Sequence, residues 1–171
     1  MNFNFSHEFD IDPQTYWKIF LSEEFNRDMF LNDLKMRKYQ VQELQDDGKK
    51  MHRVQSLEPS TPIPGFLQSI IKSTGYTEID DLDYATNVMK VKIETAMFKD
   101  KFAMHGDYVL TPLDGGQRCR REFKGEVKVS VPLIGGKIEK FMMEQMRDSY
   151  DLAARCTRKW IDKYKSENKV S

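Results

Sequence analysis

"KVSVPLIGGKIEKFMMEQM" (residues 128–146) begins as one kind of secondary structure and ends as another. Lys128, Val129, Ser130 and Val131 alternate polar and apolar, the pattern of a half-buried strand. Pro132 cannot donate to a ladder and ends it. Gly135-Gly136 then permits a sharp reversal. Beyond the glycines, Ile138, Phe141, Met142, Met146, Ser149, Ala153, Cys156, Trp160 and Tyr164 recur at intervals of three and four, which predicts a helix from about Gly136 to Tyr164. Such a helix of about 29 residues is roughly 43 Å long. An amphipathic rod of that length needs a broad apolar surface, and a curved antiparallel sheet provides one. The helix is therefore expected to fold back across the concave face of the preceding strands.

Those strands are legible upstream. Phe3, Phe5, His7 and Phe9 alternate with Asn4, Ser6, Glu8 and Asp10, which predicts a first strand with its aromatic face buried. Asp12-Pro13 reads as a helix cap followed by proline at the first position, with Tyr16, Trp17, Ile19 and Phe20 as the apolar stripe. Ser22-Glu23-Glu24 starts a second short helix carrying Phe25, Met29, Phe30 and Leu34. "MRKYQVQEL" and "KMHRVQSLE" flank Asp46-Asp47-Gly48 and form a hairpin. "PSTPIPG" (residues 59–65) breaks the sheet, and Phe66 to Ile71 follows at helical spacing. Three more strands lie between Tyr76 and Pro132. One carries Met89, Val91, Ile93, Thr95 and Met97 on a single face, another Met104 and Tyr108, and the last Arg121, Phe123, Gly125, Val127 and Val129. The fold class is α+β: a sheet of about six or seven strands, two short helices after the first strand, and one long C-terminal helix.

Composition excludes several function classes. The 171 residues suit a single domain, 1–171. Lys+Arg and Asp+Glu both total 27, and Arg118-Cys119-Arg120-Arg121 is a short cluster followed at once by Glu122, so nucleic acid is not an expected partner. There is no apolar run of the roughly 18 residues that a membrane span requires. "MNFNFSHEFD" has neither the basic start nor the apolar stretch of a secretory signal. Cys119 and Cys156 stand alone, which favours reduced core thiols and a cytoplasmic setting. Widely separated histidines, with no dinucleotide, P-loop or nucleophile-elbow motif, give no reason to expect a metal or cofactor.

The layout, with "VKVSVPLIGGKIEKFMME" (residues 127–144) and "TPIPGFLQSII" (residues 61–71), resembles the START/Bet v 1-like superfamily, also called SRPBCC, and within it an uncharacterised bacterial branch. The resemblance spans about Phe3 to Tyr164. It implies a helix-grip fold around a deep hydrophobic cavity, and binding or transfer of lipids, sterols, polyketides or other apolar molecules. Some relatives are cyclases, hydrolases or oxygenase subunits, so the fold alone does not define the function.

The residues expected to line such a cavity are Phe5, His7, Phe9, Arg53, Met89, Val91, Ile93, Met104, Tyr108, Arg121, Phe123, Met142, Met146, Ser149 and Ala153. Ser149 and Ala153 are small and leave room under the helix. Ten methionines supply adaptable apolar surface, or simply core packing. His7 either orients a polar group or transfers protons, or it is a satisfied core histidine. An inward Arg53 or Arg121 needs a partner, a ligand carboxylate or phosphate being one, unless it reaches solvent instead. Phe66, Leu67 and Ile70 form either a lid over the cavity mouth or a packed connector. Three functions remain open at this stage. The first is non-catalytic binding or transfer of a hydrophobic small molecule or lipid, with room for transient membrane contact. The second is a cyclase- or aromatase-type enzyme using His7 with Arg53 or Arg121. The third is a protein-interaction module whose cavity is filled.

Overall fold

The computed structural model describes residues 1–68, 73–96 and 101–168. Strand β1 (Asn2–Phe9) leads into helix α1 (Pro13–Phe20) and helix α2 (Glu23–Arg27), which continues into a π-helical turn, Asp28–Asp33. Both helices start at the expected caps. Asp12 accepts from the Thr15 amide with Pro13 at the first helical position, and Ser22 accepts from the Phe25 amide. The remaining strands are β2 (Lys38–Asp46), β3 (Lys50–Glu58), β4 (Tyr76–Asp83), β5 (Val88–Glu94), β6 (Phe102–Leu113) and β7 (Arg118–Val129), followed by α3 (Gly135–Glu167). All seven strands form one antiparallel sheet in the order β1-β7-β6-β5-β4-β3-β2. This is the helix-grip arrangement, with β1 and β2 at the edges.

Two facing glycines mark where the sheet curls. Gly106 on β6 and Gly125 on β7 are cross-strand partners, and Phe3 on β1 lies opposite Gly125. A Cβ at Gly125 would stand 2.1 Å from the His105 carbonyl oxygen and 2.8 Å from the Phe3 ring. The Phe3 ring fills the space two side chains would take, a device by which antiparallel sheets bend.

Helix α3 crosses this surface unevenly. Its backbone runs close to β7, β1, α1 and the π turn, whereas β3, β4 and β5 stand farther off. On the near side the core is solid, with Tyr150, Ala153, Ala154, Cys156 and Ile161 buried in one cluster with Phe9, Tyr16, Trp17 and Phe25. The reversal into α3 works differently from the sequence expectation. Leu133, fully exposed, adopts the left-handed φ of 68°, a task the sequence reading assigned to the glycines. Gly135 is instead required for space, because a Cβ there would lie 2.2 Å from the Val129 carbonyl oxygen, while Gly136 faces open space.

Two further expectations shift. Behind Pro62 and Pro64, residues Gly65–Leu67 form a single 3-10 turn in place of the start of a short helix, and Ile70 lies outside the described residues. Strand β5 ends at Glu94, so Thr95 falls beyond it and Met97 lies outside the described residues.

Candidate functional site: a cavity beneath the C-terminal helix

Between α3 and the sheet lies a cavity of about 300 Å³. Its wall includes Arg53 from β3, Met89, Val91 and Ile93 from β5, Met104 and Tyr108 from β6, and Arg121 and Phe123 from β7. Met142, Met146, Ser149 and Ala153 come from α3. Strand alternation and helical spacing placed each of these inward. Phe20, Met29 and Phe30, together with the chain from Pro62 to Pro64, add further apolar wall.

Three expected residues lie elsewhere. Phe5, His7 and Phe9 share the inward face of β1 but are absent from the cavity wall. The reason is that β1 is an edge strand onto which α3 packs directly. The Phe5 and His7 rings sit 5.2 and 5.8 Å from the Tyr150 ring, and His7 Nε2 hydrogen-bonds Asp151 Oδ1 at 2.9 Å. Burial holds the His7 imidazole below its ordinary pKa, with Arg121 adding to the effect and Asp151 opposing it. His7 thus contacts α3 and does not border the cavity. Phe66 is half exposed and outside the wall, whereas Leu67 is buried in it and packs with Val129 and Ile138. His52 pairs with Asp81 at 2.7 Å on the outer face, and His105 is exposed.

Sequence reasoning missed the most polar part of the wall. Strand β4 brings Glu78 and Asp80 opposite Gln55 and Arg53 of β3. Arg53 donates from Nε at 3.0 Å and Nη2 at 2.8 Å to Asp80 Oδ2. Gln55 Nε2 donates to Glu78 Oε1 at 2.6 Å and to Asp80 Oδ2 at 3.3 Å. Removal from water, reinforced by the Asp80 charge, pushes the Glu78 carboxyl up to about 8. Burial also raises Asp80, but Arg53 counters it. The two bonds from Arg53 favour the charged form of Asp80. Near neutral pH the Glu78 carboxyl, which lines the cavity, holds a proton. The segment "TEIDDLD" carries acids on both strand faces, so alternation alone could not select Glu78 and Asp80. The signal that could have found them is the counter-charge that an inward Arg53 demands.

Arg121 has a different environment. It is buried, and Nη1 donates to Tyr16 Oη at 2.9 Å. Its guanidinium carbon lies 4.6 Å from the Tyr150 ring centre, 5.1 Å from that of Phe9, and 5.8 Å from those of Phe20 and Tyr108. Burial pushes the Tyr16 phenol up to about 12, so it stays neutral. Among the described residues no carboxylate pairs with Arg121, and its Nε and Nη2 have no hydrogen-bond partner. The grouping with metal-ligand chemistry among the described residues, Asp28, Asp33 and Cys156, lies outside the cavity. There Asp28 accepts from Asn32 and Trp160, and burial pushes the Cys156 thiol up to about 12, so the trio pins α3 to the π turn.

Proteins of known structure share this architecture. The protein TTHA0849 from Thermus thermophilus is 12% identical, over 93% of this chain and 95% of its own, with a TM-score of 0.65. A START superfamily protein from Mycobacterium smegmatis is 13% identical over 94% and 98%, with a TM-score of 0.57. Norcoclaurine synthase from Thalictrum flavum is 15% identical over 90% and 84%, with a TM-score of 0.55. At such identities the likeness is one of fold, and the fold is START/Bet v 1-like. The chain belongs to the family described as "Protein of unknown function (DUF2505)", whose profile matches residues 4–161. The sequence matches no curated protein.

Proposed function

We propose that the protein binds a hydrophobic small molecule or lipid beneath α3 and carries or senses it without catalysing a reaction. The observation that carries this reading is the cavity, whose wall is dominated by methionine, aromatic and aliphatic side chains. Its size sits at the lower end of the range usual for small-molecule sites, about 300–1,000 Å³. Flexible Met89, Met104, Met142 and Met146 allow the wall to adapt to a guest. Exchange with a membrane fits the exposed Phe66 and Leu133, whose chain segments flank the cluster of Leu67, Val129 and Ile138. No helix among the described residues is long and apolar enough to cross a membrane. The free, buried Cys119 and Cys156 support a reducing, cytoplasmic setting.

A second reading, a cyclase-type enzyme, draws support from Glu78 alone, a proton-bearing carboxyl facing the cavity. One experiment separates the two. Native mass spectrometry of the purified protein, before and after organic extraction, is expected to show a bound molecule. The stripped protein should then take up neutral N-phenyl-1-naphthylamine with a rise in fluorescence. Extracted ligand returned to the protein should be recovered unchanged for a carrier and altered for an enzyme. Absence of both bound ligand and dye uptake would overturn the cavity reading.

A further inference from the structure

We propose that the ligand carries a carboxylate, and that Arg121 receives it through the Nε–Nη2 edge of its guanidinium. This inference rests on the cavity reading above and specifies the chemical class of the guest.

Of the ionisable groups on the wall, Arg53 is matched by Asp80, and Glu78 holds a proton. Arg121, at 1% exposure, has no matching carboxylate among the described residues. A buried charge without a counter-ion is costly, and the surrounding ring faces offset that cost only in part. Arg121 helps to form the cavity wall, so a guest that settles against this part of the wall can bring the counter-charge.

The geometry narrows the type of anion. Nη1 is tied to Tyr16 Oη, which fixes the plane of the group. The two nitrogens without partners, Nε and Nη2, lie on the same side of the guanidinium and point two parallel N–H bonds outward. That edge matches the two oxygens of a carboxylate. The Tyr150 ring lies against the guanidinium and, with Tyr108, borders the place where the head group would sit. Methionines and aliphatic side chains supply the complementary surface for an apolar tail. A volume of 300 Å³ is the room of about ten water molecules. The guest is accordingly a short amphiphile of roughly that many heavy atoms or a few more, such as a medium-chain or cyclic carboxylic acid.

The test is displacement of N-phenyl-1-naphthylamine from full-length protein by decanoate, decanol and decyl phosphate at pH 8. Decanoate is expected to displace the dye about tenfold to a hundredfold more tightly than decanol, the ratio that hydrogen bonds to a charged group confer. In Arg121→Gln that preference should vanish while dye uptake and decanol binding persist. Arg121→Lys, which keeps the charge without the two-pronged edge, should retain part of it. Equal binding of decanoate and decanol by the wild type would overturn this inference and leave the cavity reading standing. An undiminished preference in both variants would remove Arg121 from the role. Tighter binding of decyl phosphate would overturn the carboxylate assignment. Failure of the dye and all three compounds to bind would overturn the cavity reading, and this inference with it.

Discussion

Arg53 and Arg121 enter the wall of one cavity at 3% and 1% exposure, yet their electrical surroundings are opposite. Arg53 sits in a polar cluster of its own strand pair, held by two bonds to Asp80 beside Gln55 and Glu78. Arg121 sits among rings, with a phenol as its one side-chain hydrogen-bond partner among the described residues. Among the described residues there is a counter-ion for the first arginine and none for the second. One buried cation therefore serves the sheet, and the other is available to what enters.

The largest expected effect is on the paired arginine. Asp80→Ala leaves Arg53 buried without a counter-ion and should cost about 3–5 kcal/mol of stability in urea or thermal unfolding. Arg121→Met in the same assay should change stability by less than about 1 kcal/mol, because no carboxylate is stranded and an apolar side chain suits the site. Equal losses in the two variants would erase the contrast.

A pH series sharpens it further. Glu78 is protonated in the folded state up to about 8 but, once exposed in the unfolded chain, ionises near its ordinary value of 4.5. Between those limits the folded state holds the extra proton, so stability falls as pH rises, by at most about 1.4 kcal/mol per pH unit from this group. Below the window both states are protonated, and above it both are ionised, so the contribution levels off. Glu78→Gln should flatten this part of the profile when unfolding midpoints are compared from pH 5 to pH 8. An unchanged slope would mean that the proton is not held on Glu78.

Much of this wall was readable in the sequence. Alternation turned Arg53, Met89, Val91, Arg121 and Phe123 inward because strand side chains have a period of two, and that period survives any choice of partner strand. Spacing of three and four did the same for Met142, Met146, Ser149 and Ala153 on α3. What the period cannot carry is the neighbour. That β3 pairs with β4 so that Arg53 meets Asp80, or that β1 is an edge strand covered by α3, depends on sheet order and register. Hence His7 faced inward as expected but met Asp151 instead of a ligand space. The glycine pair before α3 shows the same limit from another side. Its sequence announces a corner, yet the reason for Gly135 is a carbonyl on Val129 that only the folded arrangement brings close.

The central claim is that α3 is gripped by the sheet with space left between the helix and the far strands. Diffraction from crystals pressurised with xenon tests it directly, since apolar cavities take up the gas and packed cores do not. The account predicts xenon among Met89, Val91, Met104, Met146 and Ala153. An ordered crystal with no xenon there, and side chains closed across the gap, would contradict it.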